Sequence, residues 1–511
     1  MNSSSSDSTK YSIENGVSSI RHEVVAYHGD DTDDAKQPED TLHRVSTQMS
    51  TATSLATMIE KGKSFFHPHL GPIRRKITMK IVIMYAIMAA SMLGIYSIYW
   101  GSMMHKIDHQ KYLKMLVMIE DTKTIDGVPP IIGNRLIREV ATPEARKLGD
   151  WHIYTPENIT SIWPEGATTV EEAIDKMVHQ QQWWGALHVK KDATYNLYQA
   201  LSEGNTSYST SKETWEMVYE SGRDFQAIPA IIVKNCKAVQ NMILADQDSL
   251  TGRIIHYMEQ NGKNVSRALT EGWSLISQPL TIVTKDLRPV TQPTVLAPAQ
   301  VGLIYMILVT SFQFNIFRDL HNQVADAKLK QRHYLAYRIF CSVMSYWWLS
   351  LIYSLVSLAF QLDFTRAFGR AGFVVYWMTN WLTMTAVGTV NEIMAHVFIL
   401  TLPTLIGFWL NFWVISNVAP TYTPMALTAS FYRYGYAWPI YNCYEIVKVI
   451  FFDTYKGHIG RCYGVLVAWV VVSNTVLYFL IPFFAKEMQR RAEVKKAAAA
   501  AKQKLAVQEK V

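Results

Sequence analysis

Two pairs of ionisable side chains stand inside apolar sequence. Glu445 and Lys448 interrupt the oily stretch YGYAWPIYNCYEIVKVIFFD, which begins at Tyr434, and Glu392 and His396 lie in NEIMAH, between two long uncharged runs. Three residues apart on a helix, Glu445 and Lys448 are neighbours and form an ion pair. Four residues apart on a continuous helix, Glu392 and His396 face the same way and could exchange a hydrogen bond or a proton. If NEIMAH is instead a turn, both are simply hydrated at a membrane surface. Ionisable groups at membrane depth are costly, so each pair is a candidate functional position.

Other chemistry is sparse. No GxxxxGK[ST] phosphate loop, no GxSxG nucleophile elbow and no HExxH zinc helix occurs, and no paired-carboxylate pattern stands out. The four cysteines, Cys236, Cys341, Cys443 and Cys462, have no metal-ligand spacing. No catalytic residue, cofactor or metal is therefore expected, and the chain does not read as an enzyme. Asn315, Asn380, Asn391, Asn411 and Asn474 lie in or beside apolar runs, where they are expected to hydrogen-bond between helices.

The elements that must hold these residues are membrane spans. Only 18% of the 511 residues are charged and 49% are hydrophobic, against about 25% charged in a soluble protein. Ile81 to Trp100 is 20 residues without a charge, enough at 1.5 Å per residue to cross the ~30 Å hydrocarbon layer. Leu296 to Phe317, Ile339 to Phe360, Ala371 to Val390, Val397 to Val418 and Tyr463 to Phe484 are also uncharged and of spanning length. The expected fold is thus mainly α, with six transmembrane helices arranged one plus five. A cytoplasmic tail (1–76), rich in Ser, Thr and Asp, is expected to be disordered and carries no signal peptide. The first span covers 77–100, an extracytoplasmic domain 101–295, a five-helix membrane domain 296–484, and a basic helical cytoplasmic tail 485–511.

Lysine and arginine set the orientation. Six of them precede the first span from Lys61 to Lys80, and three follow it closely; Arg318 to Arg338 and the tail after Phe484 are also basic. Both termini are then cytoplasmic. The net charge of +7 follows from topology and implies no nucleic-acid partner. Three glycosylation sequons, at Asn158, Asn205 and Asn264, all fall in the extracytoplasmic region. That region carries six tryptophans. TTVEEAIDKMVHQQQWWGALHV shows a capping Thr and acidic first turn before an apolar run, and the segment after it alternates before turning helical. The domain reads as mixed α and β with helix dominant.

The same topology places the interrupted stretch outside, with 431–453 as a re-entrant or interfacial segment. No uncharged run within the stretch exceeds 11 residues, too few to span. From Pro439, which suits a first helical turn, one flank is apolar and the other carries Glu445 and Lys448. Such a helix either lies in the interface or dips in where protein covers its ends. Tyr432, Tyr434, Tyr436 and Trp438 fit a headgroup-level belt, and the segment is either a scaffold lid or a gate. Cys443 and Cys462 bracket it on the oxidising side, so a disulfide between them could pin it.

WWGALHVKKDATYNLYQAL from Trp183, PAQVGLIYMIL from Pro298 and FYRYGYAWPIYNCYEIVKVIFFDT from Phe431, within the one-plus-five plan, resemble the fungal nitrosoguanidine-resistance membrane proteins, related to YhgE/Pip and ABC-2-type transporter membrane domains. The resemblance implies a plasma-membrane glycoprotein, with endomembranes a second location, linked to drug or mutagen resistance and lipid homeostasis. Its action would be export or control of lipid composition; the alternative is a non-transporting partner or sensor of membrane stress. The implied partners are membrane lipids and either a separate ATPase, reached through the basic stretch 318–338, or a second copy of the chain. The family supplies no catalytic residue to carry over.

Overall fold

The computed structural model describes Phe66 and residues 68–508 except 246 and 328. The expected disordered tail lies mostly outside these residues. Its last part is helical, because α1 runs Gly71–Met103 and begins before the expected position 77. The described residues up to Met84 form one unit and those from Tyr85 onward a second.

In the second unit a five-stranded sheet follows α1. Strand β1 (Lys114–Ile119) leads through α2 (Ile131–Val140) and α3 (Pro143–Leu148) to β2 (Asp150–Tyr154), and α4 (Val170–His179) leads to β3 (Gly185–Val189). After α5 (Ala193–Glu203) come β4 (Trp215–Tyr219), helices α6 (Lys234–Leu244), α7 (Gln247–Gln260) and α8 (Val265–Glu271), and then β5 (Ile282–Asp286). The spatial order is β2-β1-β3-β4-β5. Only the β3–β4 pair is antiparallel. KMLVMI and GALHV are buried almost throughout, as strands covered on both faces must be. One face carries Met115, Val117, Ile119, Leu187 and Met217 against α2, α5 and α6. The other carries Leu116, Met118, Ala186 and Val218 against Ala173, Ile174 and Met177 of α4. The expected mixed domain is present, and the capping Thr is Thr169, whose Oγ1 accepts from the Glu172 amide at 3.2 Å.

The longer helices that follow are α9 (Gly302–Ile316), α10 (Arg318–Asp326), α11 (Gln331–Ala359), α12 (Gly372–Leu400), α13 (Ile406–Val418), α14 (Pro439–Phe452) and α15 (Ile459–Gln508). Among the described residues, five helical stretches are long and apolar enough to cross a membrane: Gly71–Met103, Pro293–Asp326, Gln331–Ala359, Thr365–Leu400 and Lys456–Ala501. Of the six expected spans, the fifth, Val397 to Val418, is not among them. NEIMAH is no turn, since α12 passes straight through it to Leu400. The fifth segment keeps only the 13 α-helical residues of α13, flanked by 3-10 turns Pro403–Leu405 and Ala419–Thr421. Even so, α13 joins two distant places. Pro403, Ile406 and Trp409 line a crevice with Arg318 and Asn391, whereas Ser416 and Asn417 bond Tyr434 and the Ile440 amide. The sixth span and the tail are one helix, α15, with Pro482 inside it.

Candidate functional site

Helix α14 is enclosed by protein in the helical core. All of its 14 residues except Glu445 are buried, so the expected division into apolar and polar flanks does not describe its surroundings. Full burial of Ile440, Val447, Ile450, Phe451 and Phe452 contributes about 1.5–3 kcal/mol per side chain. Against that, each buried charge costs several kcal/mol. Packing therefore decides where the helix lies, and its two charges are accommodated by pairing. Lys448 Nζ donates to Glu445 Oε1 at 2.9 Å and to the Arg223 carbonyl at 2.9 Å, and it lies 4.5 Å from the centre of the Tyr444 ring.

That bond to Arg223 ties α14 to the sheet domain. Arg223 stacks on Trp184 at 3.7 Å and donates to the carbonyls of Trp183 at 2.6 Å and Gln181 at 3.3 Å. Burial lowers its guanidinium to about 10, opposed by Glu220 and Glu445, which leaves it charged at neutral pH. Asp224 Oδ1 accepts from the amides of Gln226 and Ala227 at 3.2 and 2.7 Å. Burial nevertheless pushes its carboxyl above the ordinary range, with Lys448 and those amides pulling the other way. Phe225 completes the seam against Tyr444 and Phe452 at 6.1 and 6.3 Å, while Arg288 donates to the Asp453 carbonyl at 2.9 Å and its carboxylate at 3.2 Å.

Between these groups lies a cavity of about 260 Å³, lined among others by Arg223, Lys448, Arg461, His458, Asp224, Glu445, Tyr436, Tyr441 and Tyr444. Arg461 lies in the first turn of α15, 5.2 Å from the Tyr436 ring, and among the described residues it has no carboxylate within ion-pair distance. A cation at a helix N-terminus opposes the helix dipole. The amides and the guanidinium together suit an anionic group. Three cations face two carboxylates, one already committed to Lys448.

The other expected residues are placed as follows. Tyr434 donates to the Ser416 carbonyl at 3.0 Å, Trp438 Nε1 to Ser416 Oγ at 3.4 Å, and Tyr432 to the Ile98 carbonyl at 2.8 Å. These three rings knit protein to protein and do not form a lipid-facing belt; Tyr436 is partly exposed and lines the cavity. Pro439 opens α14. Cys443 and Cys462 are free thiols, both buried in the same core; packing, not the disulfide that the sequence allowed, holds the segment. Glu392 and His396 do share a face of α12, but their side chains do not pair. Glu392 binds Arg338 of α11 and accepts from Ser342 Oγ at 3.0 Å. His396 Nδ1 donates to the Glu392 backbone carbonyl at 2.7 Å, its ring packed on Phe484 and Phe314. Asn158, Asn205 and Asn264 are exposed, and their hydrogen bonds to the amides of Thr155, Ser207 and Arg267 run through Oδ1, whereas a glycan is carried on Nδ2.

Sequence reasoning missed Arg223, Asp224, His458 and Arg461 because they converge from two segments far apart in the chain, and no local period marks them. Arg338 was legible only as a flanking positive charge. With α11 starting at Gln331, it lies two turns inside the helix and is 3% exposed.

No solved structure matches the chain. It is 30% identical over 445 residues to an uncharacterized endoplasmic reticulum membrane protein of Saccharomyces cerevisiae, covering 84% of this chain and 85% of the relative. The family described as "Protein of unknown function (DUF3533)" matches residues 84–475, and with that extent the chain belongs to this membrane-protein family.

Proposed function

We propose that this is a six-crossing, ABC-2-permease-like membrane protein whose junction cavity holds the anionic head of an amphiphile. Through that site it gives resistance to drugs and mutagens by setting membrane lipid composition or by export. The observation that carries the reading is the cavity itself: Arg223, Lys448 and Arg461 converge with tyrosines where the sheet domain meets α14, and a phosphate headgroup pairs with cations while its glycerol and chain lie on aromatic surface. The course of α13 between the Arg318 crevice and the α14 junction supports a sixth crossing. The printed name of the yeast relative supports an endoplasmic reticulum location alongside the plasma membrane. Helix α10, at the position of a coupling helix, is where a separate ATPase would dock, and no catalytic step is assigned to the chain itself.

A second reading, a non-transporting lipid-responsive partner, is favoured by the burial of α14, which leaves little room for a path through the bundle. Nanodiscs holding the purified full-length protein would be titrated with a fluorescent anionic phospholipid. Wild type should bind it, and Lys448→Ala and Arg461→Ala should each weaken binding about tenfold, as expected for loss of a charge-assisted contact. Equal binding by wild type and both variants contradicts the site. Binding without lipid movement between leaflets of proteoliposomes selects the second reading.

A further inference from the structure

A second cluster lies at the other end of β3 from the cavity, where the crossovers of the sheet change sides. The β1-to-β2 connection covers one face and the β2-to-β3 connection the other, so β1 and β3 flank the point at which strand order reverses. In open α/β sheets, ligands bind beyond the carboxyl ends of such strands. Glu120 directly follows β1 and His188 is the penultimate residue of β3, with Glu216 of β4 directly opposite it. Glu171 reaches the same place from α4. One ligand atom from each of Glu171, His188 and Glu216 lies within 4.8 Å of the others.

His188 is 1% exposed. Its Nε2 is engaged by Glu120 Oε1 at 2.7 Å, and its buried Nδ1 has no partner among the described residues. With the Nε2 proton donated to Glu120, Nδ1 is a buried acceptor with nothing to accept from. A carboxylate holding the far nitrogen while the near one stays free is how metal-binding histidines are oriented. The two carboxylates of the cluster already converge on a positive charge: Lys190 Nζ bridges Glu171 and Glu216, the latter at 3.1 Å. Hydrogen bonding to Lys190 holds the Glu171 carboxyl below the usual range.

We propose that His188 Nδ1, Glu171 and Glu216 form a binding site for a divalent zinc-type ion, oriented by Glu120, with Lys190 as the tethered cation that the ion displaces. One imidazole and two carboxylates suit zinc, with a water in the fourth position. Ligand atoms around a tetrahedral ion at about 2.0–2.2 Å lie roughly 3.5 Å apart, so atoms that now lie within 4.8 Å of one another draw closer on binding. The ion would staple α4 to the sheet, and the site is independent of the junction cavity.

The test is equilibrium zinc binding to the full-length, EDTA-stripped protein in detergent, read by calorimetry and by metal content after desalting. One zinc per chain is expected. His188→Ala and the half-exposed Glu171→Gln should abolish retention, Glu120→Gln should weaken binding about 10–100-fold, and Lys190→Met should tighten it by removing the competitor. The proposal is overturned if Lys190→Met retains no zinc, if binding survives His188→Ala and Glu171→Gln unchanged, or if calcium binds more tightly than zinc.

Discussion

Arg338 and Glu392 show how opposite charges persist inside an apolar bundle. Both are nearly fully buried, and Ser342 supplies a further bond to the carboxylate. Removing one partner strands the other, at a cost of about 3–5 kcal/mol, whereas replacing both with apolar groups of similar volume is close to neutral. Glu392→Gln and Arg338→Met should each lower thermal stability in detergent by that amount, and the Arg338→Met/Glu392→Met double variant by far less. Additive losses in the cycle would show that the pair is not coupled. Sequence periodicity marked Glu392 but could offer only His396 as a partner, because helical spacing relates only residues of one helix. The true partner lies 54 positions away and is set by helix packing.

At the scale of elements, the neutralised Glu392 also explains why NEIMAH does not break α12. A charge in a hydropathy window looks like the end of a span, but a charge paired across helices leaves the backbone free to continue. Length, charge and turn chemistry made five of the spans and the mixed sheet domain legible. They could not reveal that α14 is enclosed on every side, since an interrupted apolar helix reads alike in an interface and in a protein core. The seam on α14 makes a sharp prediction at Gly222, whose amide donates to the Arg288 carbonyl at 3.0 Å. A Cβ there would stand 2.6 Å from Phe452 Cβ and 3.2 Å from the Arg288 carbonyl oxygen. Gly222→Ala should cost about 1–3 kcal/mol by overpacking and raise hydrogen exchange in α14 while leaving β1 and β3 protected. Unchanged exchange in α14 would mean that the seam does not hold it.

For the whole molecule, the proposed six crossings put the sheet domain and its junction cavity on the non-cytoplasmic side, the side that the charge bias and the position of the three sequons lead one to expect. A tag inserted at Gly262, in an exposed turn with φ +66°, and another after Val511 read both sides at once in sealed microsomes treated with protease. The six-crossing reading predicts that the Gly262 tag survives until detergent opens the vesicles, while the tag after Val511 is digested at once. Digestion of the Gly262 tag in sealed vesicles would put the cavity in the cytosol and contradict the account.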